Sequence, residues 1–197
     1  KVIREYYNNY NISGINSISK FQLSKVLCIL SNYISEMSHK LTLLSEKQTI
    51  SGKEILNAIK ILFPISLYIY TTDYVENCVK NYELNSQLIS YKNLSKQKKA
   101  CMIIPPCLVE NILRKQGYFL TETSSIYLAG IVEYICIEII KDACDITIKK
   151  RITLRDIETG LRKDKDLHTL IIHRLNIKFS SCNTQSYIDP ILLIRKK

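Results

Sequence analysis

The sequence has few of the residues that interrupt regular structure, with five glycines and four prolines among 197 residues. A fold of many short strands needs frequent turn residues, so this scarcity argues against a turn-rich β protein. Apolar runs long enough to span a membrane are also missing, and the sequence from Lys1 onward has no secretory-signal pattern. We therefore expect a soluble intracellular chain, whose 46% hydrophobic content can bury a core in one domain or in two small ones.

Residues that commonly bind metals or carry catalysis are present but are not grouped. The cysteines are odd in number and contain no CxxC pair: Cys28, Cys78, Cys101, Cys107, Cys136, Cys144 and Cys182. This argues against a complete disulfide framework and a zinc ribbon, so we expect reduced, mostly buried thiols. No cysteine or carboxylate set completes a metal site around His39, His168 or His173. Because a nucleophile–base pair and a phosphate-binding glycine loop are also missing, we expect no catalysis, metal or cofactor.

The positive charge is unevenly distributed along the chain. The formal net charge is +10, of which residues 1–83 carry +2 and residues 84–197 carry +8. A basic balance of this size is typical of proteins with a polyanionic partner, although it also suits an ordinary solubilising surface. Charge alone leaves both interpretations open.

One short segment occurs twice. Residues 47–64 read KQTISGKEILNAIKILFP and residues 150–161 read KRITLRDIETGL, aligned at an offset of 102 residues. In each copy a hydroxyl residue is followed three positions later by an acid, the pattern of a helix capping box: Ser51 with Glu54 and Thr153 with Asp156. Each copy therefore predicts the start of a helix directly after basic residues, and the pair indicates a duplicated unit.

Apolar spacing predicts the helices of the first half. Apolar residues three or four apart indicate one long helix over residues 19–45: Leu23, Val26, Leu27, Leu30, Ile34, Met37, Leu41 and Leu44. Residues 1–10 are typical of the end of a helix, and residues 52–63 form a third helix closed by Pro64. The predicted order is short helix, long helix, short helix.

The second half repeats this order. Helices are predicted over residues 108–115, 125–146 and 153–162, and the polar, basic residues 84–98 are predicted to be a tether. Neither half can cover its long apolar stripe alone, so we expect the two halves to pack together in an all-α fold.

This helix order with basic loops resembles the histone fold. Residues 1–83 resemble histone 2B through KVIREYY, SGINS, KQTISGKEI, AIKILFP and a further helix that ends VKNYE. Residues 99–197 resemble histone 2A through IIPPCLVENILRKQGY, IYLAGIVEYICIEII, KKRITLRDI, GLRKDKDL and YIDPILLIRKK. The chain as a whole is similar to the fused histone doublets of giant DNA viruses.

The resemblance implies two tandem histone folds, paired head to tail as a pseudo-heterodimer. It implies a structural chromatin protein that packages double-stranded DNA into nucleosome-like particles, with a histone 3/4-like partner that is itself expected to be a fused doublet. The expected locations are chromatin, a viral factory or host nucleus, and the virion, and the expected task is compaction of a viral genome. No membrane or small-molecule partner is implied.

The resemblance also implies which residues contact DNA. Residues 47–49 pair with the loop 116–124, and residues 149–151 pair with the loop around Gly14. Arg151 takes the position of an arginine that enters the minor groove, and Lys47 takes the equivalent position in the first half. The full set implied is Arg4, Ile15, Asn16, Lys47, Gln48, Thr49, Lys98, Lys99, Arg114, Lys115, Lys149, Lys150 and Arg151.

Three further surfaces follow from the resemblance. Leu67, Tyr70 and Tyr74 would join a four-helix bundle with a histone 4-like partner. Apolar residues near the end of the sequence would either dock on a histone 3–histone 4 surface or cover the chain's own core: Ile188, Ile191, Leu192 and Leu193. The acidic patch of histones 2A and 2B is partly retained, in Glu133, Glu138, Asp164 and Asp166. We expect this patch to be broken by three bases that lie within it, Lys141, Lys163 and Lys165. Ser66 and Tyr74 also stand at positions where the resemblance implies acids.

Two other functions stay open at this point. Histone-fold pairs also act as sequence-selective transcription factors or as scaffold subunits of transcription complexes. Strong dependence on base sequence at matched salt would favour the transcription factor. A helical adaptor that never binds DNA is the third possibility, although basic residues at the predicted contact loops argue against it.

Overall fold

The computed structural model describes residues 13–88, 93–115, 117, 119–147 and 150–177. The helix predicted over residues 1–10 lies outside these ranges. None of the helices within them is both long enough and apolar enough to cross a membrane.

The first half contains one long and two shorter helices. A two-residue strand β1 (Gly14–Ile15) precedes the long helix α1 (Ser17–Leu44). A second short strand β2 (Thr49–Ile50) leads into α2 (Gly52–Leu62). After Pro64 the chain continues as α3 (Ile65–Gln87). The bounds of α1 and α2 differ from the predicted ones by at most two residues.

The second half begins with the short helix α4 (Lys96–Lys99), followed by α5 (Pro106–Arg114). Strand β3 (Phe119–Leu120) precedes the second long helix α6 (Ser124–Ile146), and strand β4 (Arg151–Ile152) precedes α7 (Leu154–Lys163). The chain then forms α8 (Lys165–His168) and a π-helical turn (Thr169–Arg174). Helix α5 begins two residues earlier than predicted because proline is accepted in the first helical turn, where its missing N–H has no partner to lose.

The segment predicted to be a tether, residues 84–98, is partly helical. Helix α3 continues to Gln87, and α4 begins at Lys96. The side-chain amide of Asn85 donates to the carbonyl oxygen of Lys99 at 2.8 Å, which holds the two helices together. The division into domains 1–83, 84–98 and 99–197 stays a prediction.

Helix α6 is the centre of the core and packs against α1, α2, α3, α5 and α7. Most of its residues are buried, including Ile131, Ile135 and Ile139. By contrast, α1 buries only one face, and Leu44 is 82% exposed. The predicted apolar stripe of α1 therefore ends at Leu41, and the prediction that it includes Leu44 is wrong.

Helices make up most of the described chain, and its strands are only two residues long, so the all-α prediction is confirmed and is consistent with a histone fold. Polar contacts join distant parts of the sequence. The hydroxyl of Ser35 in α1 donates to the carbonyl oxygen of Ile112 in α5 at 3.4 Å. Arg174, at the end of the π-helical turn, donates to the carbonyl oxygen of Ile61 in α2 at 2.6 Å.

Candidate nucleic-acid interface

Two pairs of loops meet as short parallel bridges. In the first pair, β2 runs beside β3, with Thr49 opposite Phe119. The backbone N–H of Phe119 donates to the carbonyl oxygen of Gln48 at 3.1 Å, and that of Thr121 donates to Ile50 at 3.1 Å. Ile50 is fully buried, whereas Lys47 and Gln48 are exposed. The buried isoleucine therefore anchors a loop whose polar residues face solvent.

The second pair is built in the same way. Strand β1 runs beside β4, with Gly14 opposite Arg151. The backbone N–H of Ser13 donates to the carbonyl oxygen of Lys150 at 2.7 Å, and that of Asn16 donates to Ile152 at 3.0 Å. The structure thus brings together the segments that the resemblance paired, except that Lys149, Gln116 and Tyr118 lie outside the described residues.

Ile15 has a buried side chain, which is only 7% exposed and belongs to the hydrophobic core. The DNA contact that the resemblance implies for this loop is made by main-chain amides, so it stays a prediction for Ile15. Ile15 anchors its loop in the same way as Ile50, and only its backbone can contribute to the surface. Its neighbour Asn16 is exposed.

Both capping boxes form where they were predicted. At the start of α2, the backbone N–H of Ser51 donates to Glu54 Oε2 at 2.9 Å, and the Ser51 hydroxyl donates to the same oxygen. At the start of α7, the backbone N–H and the hydroxyl of Thr153 both donate to Asp156 Oδ2 at 2.8 Å. These contacts fix the directions of two helix N-termini, where partial positive charge favours an anion.

The basic residues beside the two caps differ. Lys47 Nζ lies 2.6 Å from Glu54 Oε1, and the Glu54 side chain is only 6% exposed. Burial by itself would raise the pKa of Glu54, but hydrogen bonds from Lys47 and Ser51 outweigh it and lower that pKa to about 2. Within the described residues no ion pair involves Lys150 or Arg151. The second loop therefore presents free cations, and the first presents a lysine that is already paired.

Among the other bases predicted to contact DNA, one is ion-paired and others are exposed. Arg114 donates to Glu110 Oε1 through Nε at 3.1 Å and through Nη2 at 2.6 Å, which partly neutralises its charge. Lys98 and Lys115 are exposed, and Lys99 is half-buried. Arg4 lies outside the described residues.

The acidic patch also needs a correction, because Glu133 is fully buried. Its carboxylate accepts hydrogen bonds from the backbone N–H groups of Ile103 and Ile104 at 2.8 and 2.6 Å, and from the Tyr74 hydroxyl at 2.6 Å. Three donors satisfy a charge that would otherwise be costly to bury. Glu133 therefore joins α6 to α3 and to the segment before α5, and it is not part of an exposed surface.

The other predicted acids lie on or near the surface. Lys141 Nζ is 3.7 Å from Glu138, and Asp164 accepts from the backbone N–H groups of Asp166 and Leu167. Sequence reasoning missed Asp142, one turn after Glu138. Burial is the largest cause that raises the pKa of Asp142 to about 6, and the negative charges of Asp164 and Glu138 add to it. Asp142 could have been found from the sequence, because it lies four residues after Glu138 and therefore on the same face of α6.

The predicted partner-docking residues have different environments. Leu67 is buried in the chain's own core, Tyr74 is half-buried against Glu133, and Tyr70 is 62% exposed. The residues expected to dock near the end of the sequence lie outside the described part: Ile188, Ile191, Leu192 and Leu193.

The thiols are less buried than predicted. Cys78, Cys136 and Cys144 are buried, and burial raises the pKa of each, but the remaining described cysteines are exposed: Cys28, Cys101 and Cys107. Cys182 lies outside the described residues. In the part of the chain that the structure describes, no cluster of three or more histidines, cysteines and acids is suited to a metal ion.

No protein-family model matches the chain. Over 110 residues, however, it is 29% identical to a histone 2A of Agaricus bisporus, and the match covers 53% of this chain and 77% of that histone. With the helical architecture, this similarity supports a histone-like protein with a structural role and not an enzymatic one.

Proposed function

We propose that the chain is a structural chromatin protein that binds double-stranded DNA without reading its sequence and packages it into nucleosome-like particles. The observation that carries this proposal is the pair of bridged loops, each placing exposed basic residues directly before a capped helix N-terminus. The similarity to a histone 2A supports a role in chromatin. The net charge of +10 matches a polyanionic partner.

Each loop pair would contact one stretch of the phosphate backbone. The N-termini of α2 and α7 supply partial positive charge, and Lys150, Arg151 and the loop amides supply donors. Displacing counterions from phosphate drives such binding and makes it strongly dependent on salt. Arg151, which is exposed and has no ion pair in the described chain, would insert into the minor groove. Lys47 would have to leave Glu54 first, so the first loop should bind more weakly.

The finer proposal is a fused histone doublet. A histone 2B-like half and a histone 2A-like half would pair head to tail, and the bridges Gly14–Arg151 and Thr49–Phe119 support this arrangement because each joins the two halves. Fusion keeps the halves at a high effective concentration, so their pairing would not depend on dilution.

The partner proposed is a histone 3/4-like protein, itself expected to be a fused doublet. Tyr70 and the apolar residues near the end of the sequence are the proposed docking elements. The likeness to giant-virus doublets rests on the sequence motifs alone. It suggests compaction of a viral genome, with the protein in a viral factory or host nucleus and in the virion.

Competition binding on labelled random-sequence DNA tests the DNA-binding part of this proposal. We expect unlabelled duplexes of unrelated sequence to compete equally at matched salt, and affinity to fall steeply as salt rises. A strong preference for one sequence would favour a transcription factor. No binding at low salt would favour a helical adaptor, an interpretation that the paired states of Lys47 and Arg114 support.

A further inference from the structure

Exposed apolar side chains gather where α2 meets α3. Ile61 in the last turn of α2 is 54% exposed, and in the first turns of α3 Ile65 is 80%, Ile69 is 48% and Tyr70 is 62% exposed. Ile65 and Ile69 are four residues apart, so they share one face of the helix. We refer to these four residues as the α3 corner. A group of adjacent exposed apolar residues, unlike isolated ones, indicates a contact surface.

Acidic residues border the α3 corner. The hydroxyl of Ser66, next to Ile65, donates to Asp166 Oδ2. Burial is the largest cause that raises the pKa of Tyr134 to about 12, and Glu138, Tyr70 and Asp164 add to it, so Tyr134 lies within electrostatic reach of Tyr70 and of both acids.

Lysines are present on the same helices as these acids, but one of them is already in an ion pair. Lys141 pairs with Glu138, and Lys163 and Lys165 are exposed on either side of Asp164. The acids of this border are Asp166, which contacts Ser66, and Glu138 and Asp164, which act on Tyr134 as Tyr70 does. An occupant of the α3 corner should therefore combine apolar residues with a positive charge.

The described chain ends beside this corner. Arg174 Nη1 donates to the carbonyl oxygens of Ile61 and Leu62 at 2.6 and 2.5 Å, and so binds the C-terminal end of α2. Three residues later, the backbone N–H of Ile177 donates to Ile171 at 3.1 Å. The described chain therefore ends three residues after a side chain that contacts Ile61 of the α3 corner.

The twenty residues that follow have the composition required of the occupant. Residues 187–197 read YIDPILLIRKK, an apolar run followed by three bases. The nine residues 178–186 can span about 30 Å when extended, and Arg174, three residues before Ile177, already contacts Ile61 of the α3 corner. The chain therefore carries a segment of matching chemistry within reach.

We infer that residues 187–197 dock on the α3 corner of the same chain when no partner is bound, with their apolar residues on Ile65, Ile69 and Tyr70 and their bases toward Asp164 and Asp166. This goes beyond the proposed function, because it concerns the free protein without DNA. The segment cannot occupy the corner and a histone 3/4-like partner together, so partner binding would compete with this contact.

Photo-crosslinking of the full-length chain tests the inference. Ile69 is replaced by a photoreactive benzoyl-phenylalanine, and crosslinked peptides are identified by mass spectrometry in the monomer fraction. We expect crosslinks within one chain to residues 187–197. The matched control carries the same group at Phe119, which is 73% exposed. The Phe119 loop lies near the other end of α3, because Tyr82 donates to Glu122 there, and we expect no such crosslink.

A second variant tests the segment itself. Changing Ile191→Asp and Leu192→Asp in the Ile69-labelled chain should lower the crosslink yield about tenfold, because two buried apolar contacts are lost. Unchanged circular dichroism would establish that the fold is intact. Crosslinks from position 69 to a second copy of the chain, no crosslink to 187–197, or an undiminished yield in the double variant would overturn the inference. DNA is absent from the assay, so its failure leaves the DNA-binding proposal untouched.

Discussion

Lys47 and Glu54 form an ion pair of 2.6 Å that joins the first contact loop to the capping box of α2. In the second copy of this motif, Asp156 caps α7 through Thr153, and no lysine or arginine pairs with it among the described residues. Among the described residues, the same local pattern thus produces one loop with an ion-paired base and one whose bases have no ion pair.

This difference predicts the effect of removing the Glu54 charge. Glu54→Gln should release Lys47 and remove a negative charge near phosphate, giving roughly two- to fivefold tighter DNA binding at low salt. Asp156→Asn disturbs the equivalent cap without releasing a lysine, so it should tighten binding less. Fluorescence anisotropy with a random duplex measures both variants, and equal effects would show that the Lys47–Glu54 pair does not restrain the loop.

Arg151 should contribute to the salt dependence of DNA binding. Arg151→Ala removes one phosphate or groove contact, so the slope of log affinity against log salt should fall by about 1. Lys163→Ala, an exposed base at the opposite end of α7, makes the same change in net charge and should leave the slope unchanged. If the two variants behave alike, only the overall charge of the protein matters.

Protonation of Asp142 should make the folded protein more stable as the pH falls through the pKa of this carboxyl group, about 6. Its pKa is raised from 3.8 to about 6 in the folded chain, so the folded state binds a proton that the unfolded state does not between these values. The free energy of unfolding should therefore increase from pH 7.5 to pH 5. Asp142→Asn should stabilise the protein at pH 7.5 by roughly 1–2 kcal/mol and reduce that pH dependence.

Urea unfolding at pH 5, 6, 7 and 7.5 measures this effect. Glu54 does not interfere, because its pKa of about 2 means that its stabilising charge is lost only below its ordinary pKa of 4.5. Asp73→Asn, at an exposed acid of α3, is the control and should leave the pH dependence in place. A wild-type curve that is flat across this range would contradict the prediction.

Gly52 should tolerate no side chain. A Cβ built at this position lies 2.2 Å from Cε2 of Tyr127, so Gly52→Ala must displace a ring that packs between α2 and α6. We expect a loss of about 1–3 kcal/mol in the free energy of unfolding. Gly14→Ala is the matched control, because a Cβ there meets nothing within 4 Å. Equal melting temperatures for the two variants would mean that Tyr127 moves without cost.

Local features could be predicted from the sequence. The helices that begin at Gly52 and Leu154 follow from hydroxyl and acid residues three positions apart, and a capping box needs nothing from the rest of the chain. The apolar spacing of α1 and α6 likewise predicted their extents within two residues. The bridging of the loops was expected from the resemblance to the histone fold and not from the residues alone.

Features that depend on distant residues could not be predicted. The burial of Glu133 requires Tyr74 and the backbone of Ile103 and Ile104, which lie 59, 30 and 29 residues away. Nothing in the sequence near Glu133 indicates that these donors fold over it. The exposure of Leu44 has the same origin, since spacing predicts the face of a helix but not which part of that face another element covers.

Nuclease protection tests whether the chain packages DNA together with a histone 3/4-type partner. Random-sequence DNA is digested in the presence of this chain alone, and then with a histone 3/4-type partner added. We expect a discrete protected fragment of about 150 base pairs or fewer, which appears only when both proteins are present. Digestion that remains unchanged in both cases would contradict a DNA-packaging role.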